Sequence, residues 1–102
     1  MYIFVYTTVP NINDAKKIAK ILLEKKLAAC INMFQIASMY IYNGNIKDEN
    51  EVGMIIKTKS EKFKELKNEL KKIHPYKTPC ICSIHLEECH RDFLDWIDKV
   101  LA

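Results

Sequence analysis

The sequence predicts an α+β fold, with four strands and three helices in the order βαββαβα. Three observations lead to this prediction: extended runs rich in β-branched and aromatic residues, stretches with apolar residues at helical spacing, and an Asn-Gly pair between two of the extended runs. The 102 residues, of which 49% are hydrophobic, suffice for one core but not for two independent cores. We therefore expect a single domain over residues 1–102.

The first strand and the first helix follow from the start of the chain. Residues 2–7 form an uninterrupted β-favouring run, which is typical of a central strand buried on both faces. Asn11, with Asp14 three residues later, resembles the capping pattern at a helix start. Apolar residues at helical spacing then predict a first helix that ends near Lys26.

A long hairpin is expected in the middle of the chain. Residues 28–42 read as one extended segment, Asn43-Gly44 is the strongest short hairpin signal, and the return strand is predicted at about 51–58. Such arms exceed the usual strand of about 5 to 6 residues, so their far ends should project beyond the sheet that two helices can cover. An exposed apolar hairpin favours aggregation unless another subunit pairs with it, and we therefore expect an oligomer.

The second half of the chain completes the fold. Apolar residues between Phe63 and Ile73 recur at helical spacing and predict a second amphipathic helix that stops at His74-Pro75. Residues 80–86 alternate as a strand, and apolar residues from Phe93 to Leu101 mark a terminal helix. The βαββαβ order predicts a ferredoxin-like sandwich, with helices on one face of an antiparallel sheet and an extra C-terminal helix.

The composition argues against some classes of function and some cellular compartments. The formal charge is +3, and in residues 61–69 lysines alternate with glutamates, which indicates a solvated helix face rather than a nucleic-acid surface. The N-terminal residues have no basic leader, and no stretch approaches membrane-spanning length, so we expect a cytoplasmic protein without a membrane partner. The four cysteines are then expected to be free thiols.

The connector 74–79 is the segment with the most functional side-chain types. Pro75 ends the helix that precedes it and Pro79 sets the entry to the next strand, so His74 should lie at a helix C-terminus beside Tyr76. There the helix dipole favours the protonated imidazole, and a titratable ring beside a phenol is chemically useful. The alternative is that His74 only caps the helix within a rigid turn.

Six short segments follow one another at intervals that match a known family. They are residues 26–32, residues 38–44, the pairs Glu51-Val52 and Lys57-Thr58, residues 74–79, and residues 93–97. These segments resemble motifs of the CutA family, which is named for divalent-cation tolerance. The resemblance implies a homotrimer of ferredoxin-like subunits with interlocked hairpins, an architecture related to the PII signalling proteins, and binding of copper or other divalent ions in some members.

The chain departs from the family pattern at three places. Residues 33–36 lack the Pro-Gly bend that usually follows Asn32, Tyr42 stands where an indole is frequent, and Cys80 replaces the glutamate that usually follows Pro79. A thiolate is a softer ligand than a carboxylate and favours Cu(I) or Zn over hard cations. We predict a metal site that includes His74 and Cys80.

Several soft donors lie close to Cys80 in the sequence. They are Cys80, Cys82, His85, Cys89 and His90. On a strand, Cys80 and Cys82 point to one face and His85 to the other, so a single metal ion would need ligands from a second element or subunit. The alternative is that most of these side chains are structural, because a free cysteine packs as a small hydrophobic residue.

A second group is expected at a subunit boundary. Glu51, Lys57 and Tyr76, with His74 and Cys80, would line an intersubunit pocket for a metal or a small anion, whereas Glu51 and Lys57 alternatively form a structural ion pair. No phosphate loop, nucleophile elbow or zinc-protease helix is present, so no enzymatic activity and no organic cofactor are expected. The leading hypothesis is a trimeric metal-tolerance protein. The alternatives are a PII-like small-ligand sensor and an enzyme that acts through His74 and Tyr76.

Overall fold

The computed structural model describes Met1 to Ala102 and contains four strands, three α-helices and one short 3-10 turn. The elements are β1 (Tyr2–Val9), α1 (Ile12–Glu24), β2 (Cys30–Tyr42), β3 (Asn45–Lys59), the 3-10 turn (Ser60–Lys62), α2 (Phe63–Ile73), β4 (Cys82–His85) and α3 (Arg91–Val100). The predicted element order is confirmed. None of the helices combines the length and the apolar character that crossing a membrane requires.

The four strands form one antiparallel sheet in the order β2-β3-β1-β4. This is the ferredoxin-like arrangement predicted from the sequence. β1 lies inside the sheet, where Tyr2 to Val9 pair with β3, whereas β4 pairs only with Ile3 to Tyr6. The remainder of β1, from Thr7 to Val9, therefore has no strand partner on that side, and the chain that follows α2 fills this place.

The main core lies between the sheet and the helices α1 and α2. Its buried side chains come from the alternate residues Ile3, Val5 and Val9 of β1, from Val52, Met54 and Ile56 of β3, and from the apolar faces of the two helices. Asn11 caps α1 as predicted, because its side chain accepts a hydrogen bond of 2.8 Å from the Asp14 backbone N–H. The buried residues of β1 and β3 face α1 and α2, so the residues between them lie on the other face of the sheet.

The second face of the sheet is only partly covered. α3 packs over one end of it, where Ile97 and Leu101 are buried with Ala29 and contact Tyr2 and Phe93. The helices are therefore not confined to one face. The expectation that β1 is buried on both faces is wrong for the single chain, because its residues alternate between buried and half-buried and α3 is too short to reach the other end.

The β2–β3 hairpin extends well beyond the helices. β3 starts at Asn45 rather than near Glu51, because its polar first half pairs residue by residue with the apolar outer half of β2. Beyond the pair Gln35 and Val52, the hairpin has no neighbouring strand over seven residue pairs, or about 23 Å. Ile41 and Ile46 face each other near the tip and are 78% and 72% exposed.

The last strand is shorter than predicted. It covers Cys82–His85 instead of residues 80–86, and these four residues pair with Ile3 to Tyr6 of β1. Cys82 lies opposite Tyr6 and His85 lies opposite Ile3, so the two side chains are on different faces, as expected from their spacing.

Candidate functional site

A groove lies between the projecting part of the hairpin and the connector that follows α2. Its volume is about 860 Å³. It is lined by Thr8, Ser38, Met39, Tyr40, Tyr42, Glu51, Tyr76, Lys77, Thr78 and Cys80. The groove therefore brings together three of the sequence-predicted site residues, Glu51, Tyr76 and Cys80, and adds hydroxyl and aromatic groups around them.

The connector reaches the groove because α2 ends abruptly. His74 has extended backbone angles and its N–H still donates to the Leu70 carbonyl oxygen, whereas Pro75 has no N–H with which to continue the helix. The chain then passes beside the unpaired end of β1 and carries Tyr76 round to the face that bears Glu51. Local sequence therefore positions the phenol at the groove.

Tyr76 and Glu51 form the central contact of the groove. The Tyr76 hydroxyl donates to Glu51 Oε2 at 2.5 Å, and both side chains are half-buried. Burial raises the pKa of Glu51, but the hydroxyls of Tyr76, Ser38 and Thr8 together hold it below its ordinary value of 4.5. Burial, followed by the contact with Glu51, raises the pKa of Tyr76 above its usual range. The groove thus holds a carboxylate and a neutral phenol at neutral pH.

His74 lies behind Tyr76 and is held on both sides. The Tyr76 backbone N–H donates to Nδ1 at 3.1 Å, so in the neutral ring Nε2 carries the proton and donates to Thr7 Oγ1 at 3.0 Å. The side chain is buried, with 8% of its surface exposed. Burial lowers the pKa of His74, and this effect exceeds the opposing influence of the Thr8 backbone and of Asp14.

The protonated form of His74 expected from the helix dipole is therefore not favoured. Desolvation of the buried imidazolium outweighs the attraction of the helix C-terminus. Because both ring nitrogens have protein partners, His74 would have to give up one hydrogen bond in order to ligate a metal. Its clearest role in the structure is to hold the connector against β1.

Cys80 lies in the wall of the groove, and Cys82 lies beside it. Their Sγ atoms are 3.8 Å apart and both residues are exposed. Burial, together with the neighbouring Cys82 thiol, raises the pKa of Cys80. Cys80 lines the groove, whereas Cys82 starts β4 on the same side of the strand.

Lys57 lies outside the groove in the single chain. It is on the same face of β3 as Glu51 but six residues further along, or about 20 Å. Its Nζ lies 5.6 Å from the centre of the Phe4 ring and 5.5 Å from that of Phe93. The ion pair between Glu51 and Lys57 is not formed within the chain, because each partner is engaged elsewhere. Lys57 would join the predicted intersubunit pocket only from another subunit.

The remaining soft donors are dispersed. His85 is on the opposite side of β4 from Cys82, His90 Nε2 lies 3.5 Å from Asp92 Oδ2, and Cys89 is half-buried near the start of α3. Between Met1 and Ala102, no three His, Cys, Asp or Glu side chains are placed to hold one metal ion. A metal in the groove would use the Glu51 carboxylate or the paired thiols, and would complete its coordination with water or with another subunit.

Several residues of the groove are absent from the sequence-based site. Thr8 and Ser38 hold Glu51, Thr7 holds His74, and Tyr40 donates to Glu49 on the adjacent arm of the hairpin. Ser38 and Tyr40 belong to a segment that resembles a family motif, which was the available signal. No sequence signal marked Thr7 and Thr8 as site residues, because Thr is common in strands.

Comparison with known proteins gives a consistent result. The family model described as CutA1 divalent ion tolerance protein matches residues 3–100. The divalent-cation tolerance protein CutA of Archaeoglobus fulgidus is 50% identical over 101 residues, which make up 99% of each chain. The protein of the same name from Thermotoga maritima is 44% identical over 95 residues, or 93% of this chain and 94% of that protein.

Solved structures agree with the sequence matches. The structure of the Archaeoglobus fulgidus protein, described as a periplasmic divalent cation tolerance protein, covers all of both chains at 50% identity with a TM-score of 0.97. CutA1 from Oryza sativa has a TM-score of 0.93 at 31% identity, and the match covers 97% of this chain and 92% of that chain. The matched regions include both the hairpin and the connector that line the groove.

Proposed function

The chain belongs to the CutA1 divalent ion tolerance family, and from this membership we propose that it contributes to tolerance of divalent cations by binding a metal ion directly. The observation that carries the proposal is the groove, where the ionised Glu51 lies beside the neutral Tyr76 and the Cys80 thiol forms part of the wall. A carboxylate attracts a cation, and the thiol selects among cations by softness. The role is one of binding rather than of catalysis.

The proposed metal is copper, or another ion that accepts sulfur ligands such as zinc. Cys80 stands where relatives usually carry a carboxylate, and its thiol is exposed to solvent. Soft ligands favour Cu(I) and Zn over magnesium and calcium. We retain Cys80 as a donor and His74 as a candidate second donor, which would first have to break its hydrogen bond to Thr7 or to the Tyr76 backbone.

We propose a homotrimer as the functional assembly. The projecting hairpin has large exposed apolar side chains, including Met39, Ile41, Tyr42 and Ile46. A second subunit that packed on this hairpin would remove apolar surface from water and complete the groove at its open side. The Lys57 of such a subunit is our candidate for the remaining pocket residue.

The direct test combines growth with binding. A bacterial strain that lacks its own family member is grown in copper or zinc, with and without the gene for this chain, and the purified protein is titrated with the same ions by calorimetry. We expect the gene to raise the tolerated metal concentration and the protein to bind copper and zinc more tightly than magnesium. Unchanged growth in every metal would contradict the tolerance role.

A PII-like sensor of a small ligand is the second candidate. The volume of the groove, about 860 Å³, lies in the range of small-molecule sites, and its wall carries Lys77 and several hydroxyl groups that suit an anion. Calorimetric titration with nucleotides separates this candidate from metal binding. An enzyme that uses His74 and Tyr76 has less support, because the histidine is buried with both nitrogens engaged.

We propose the cytoplasm as the compartment, although one relative is described as periplasmic. Free exposed thiols such as Cys80 and Cys82 suit a reducing environment. Cell fractionation with an antibody against the chain is the measurement. Recovery with the periplasmic fraction would contradict this assignment.

A further inference from the structure

We infer that Cys80 and Cys82 of one subunit form a two-thiolate chelate for a d10 metal ion such as Cu(I), Zn(II) or Cd(II). This inference rests on the proposed metal-binding function and makes it more specific. It replaces the pairing of Cys80 with His74 by a pairing of Cys80 with Cys82, and it needs no second subunit to supply the first two ligands.

The separation of the two sulfur atoms is the first argument. Zinc–thiolate bonds are about 2.3 Å long, and two such bonds at a tetrahedral angle place their sulfur atoms about 3.8 Å apart. The Cys80 and Cys82 Sγ atoms are 3.8 Å apart. The thiols therefore already have the spacing of two ligands on one ion, and little rearrangement of either side chain is required.

The backbone explains why the thiols meet. Residues two apart on an extended chain point to the same side, and Cys82 is the first residue of β4 while Cys80 precedes it by two. Pairing with β1 fixes Cys82 opposite Tyr6, and Pro79 restricts the backbone before Cys80. Cys82 is thus held in β4, and Cys80 lies two residues before it, directly after Pro79.

The solvent exposure of the two thiols and their lack of other hydrogen-bond partners also support Cys80 and Cys82 as the metal ligands. Both residues are exposed, and the only hydrogen bond that either side chain makes is the one between the two thiols. His74, by contrast, is buried with two partners, and His85 is on the opposite side of the strand. On binding, each thiol gives its proton to water and each sulfur donates an electron pair to the ion, whose other positions are taken by water or by the Glu51 side of the groove.

The test uses the full chain, kept reduced with a phosphine under anaerobic conditions. Wild type, Cys80→Ser, Cys82→Ser and the matched controls Cys30→Ser and Cys89→Ser are titrated with Cd(II), and the ultraviolet thiolate-to-cadmium absorption counts bound thiolates. Competition with a chromogenic chelator gives the affinity for Zn(II) and Cu(I). Circular dichroism and the solution mass check that each variant keeps its fold and assembly.

We expect one ion per chain with two thiolates in the wild type and in both controls. Cys80→Ser and Cys82→Ser should each lower the affinity by about 100-fold or more, because loss of an outer-shell partner alone costs about 10- to 100-fold. His74→Gln should weaken binding much less than either thiol variant does. The chelate is overturned if either thiol variant binds as tightly as the wild type, or if His74→Gln weakens binding as much as Cys80→Ser does.

The outcomes also separate the chelate from the wider proposal. If the gene confers metal tolerance and the wild type binds metal, but Cys82→Ser binds equally well, the chelate is wrong and the tolerance role stands. If the wild type binds none of the three ions while growth is still protected, both the chelate and direct binding are wrong.

Discussion

Glu51 and Tyr76 form a pair in which each residue sets the protonation of the other. The phenol stabilises the carboxylate by donating a hydrogen bond to it, and the carboxylate in turn opposes ionisation of the phenol. Because Thr8 and Ser38 also stabilise the Glu51 carboxylate, the groove keeps this negative charge to a lower pH than an ordinary glutamate would. The negative charge of Glu51 therefore depends on the hydroxyl groups of Tyr76, Ser38 and Thr8.

Replacing Tyr76 by phenylalanine should raise the pKa of Glu51. The variant loses the 2.5 Å hydrogen bond, while the burial that opposes ionisation remains. The carboxyl carbon of Glu51, followed by NMR against pH, measures the change, and we also expect a loss of about 1 kcal/mol of stability. Tyr42→Phe is the matched control, because it removes a phenol from the same groove without touching this contact. An unaltered Glu51 titration in Tyr76→Phe would contradict the assigned pair.

His74 predicts a loss of stability in mild acid. Its folded-state pKa is below the ordinary 6.5, so its neutral form contributes stability above that pH. The contribution is lost as the pH falls below 6.5 and through the folded-state pKa, since the unfolded chain takes up the proton first. Denaturant unfolding at about pH 7.5 and about pH 5 measures the difference.

The control for this prediction is His74→Gln, which keeps a donor for Thr7 but does not titrate. We expect its unfolding free energy to fall less between the two pH values than that of the wild type, at equal protein concentration. Parallel losses in both proteins would show that another group is responsible.

At the scale of elements, the hairpin depends on a close contact between its two arms. Phe34 of β2 lies opposite Gly53 of β3, and a Cβ atom built on Gly53 would be 2.7 Å from Phe34 Cε2 and 2.9 Å from Cζ. A residue with a Cβ atom at position 53 would therefore clash with the Phe34 ring where it now lies. The ring covers the glycine backbone at the level where the hairpin leaves the rest of the sheet.

Gly53→Ala should destabilise the protein by about 1 to 2 kcal/mol, because the Phe34 ring must move from its place. In a Phe34→Ala background the clash is absent, and the same substitution should be neutral or stabilising, since glycine is disfavoured in a strand by about 0.5 to 1 kcal/mol. Denaturant unfolding of the four proteins gives the coupling between the two positions. Equal effects of Gly53→Ala in both backgrounds would refute the close contact.

The elements also show where sequence reasoning succeeds and where it ends. Asn43 and Gly44 adopt positive φ angles of 51° and 77°, as the hairpin turn requires, so this turn was predictable from two residues. The polar start of β3 was not, because it is extended only through its pairing with β2. The same holds for the groove. Glu51, Tyr76 and Cys80 were expected from the sequence to lie together, and they line one groove. The burial of His74 and the position of Lys57 near two aromatic rings depend on distant parts of the chain and were not predicted.

At the scale of the whole molecule, the single chain leaves apolar surface of its sheet and of its hairpin uncovered. Its principal extents are 45, 26 and 21 Å, and the longest one includes a hairpin arm without a covering layer. Part of the second sheet face is also left uncovered by α3. Both features concern apolar surface that association would bury.

Light scattering after size exclusion should therefore give the mass of three 12.0 kDa chains at micromolar concentration. The melting temperature should rise with protein concentration, because association stabilises the folded state by mass action. If residues 1–102 form a single domain, we expect one cooperative transition. A monomeric mass would contradict the proposed trimer and, with it, the proposal that another subunit contributes to the pocket.

The proposed trimer can be tested by substitutions at the hairpin tip. Ile41→Lys with Ile46→Lys puts like charges on two facing positions, and we expect a smaller mass or a lower melting temperature. Ile12→Lys is the control, since it adds a charge at an exposed isoleucine on α1, away from the hairpin. An intact trimer of unchanged melting temperature in the double variant would place the interface elsewhere.

The position of β1 inside the sheet also determines when this protein can fold during synthesis. β1 leaves the ribosome first, yet it pairs with β3 and β4, which come from the middle and the far end of the chain. The hairpin is complete in itself much earlier, since its arms are joined by two residues. At about 5 to 20 residues per second, the apolar first strand waits several seconds for its last partner. Until β4 has emerged, β1 can be covered only by α1, α2 and the hairpin, and one of its edges lacks the strand that completes the sheet.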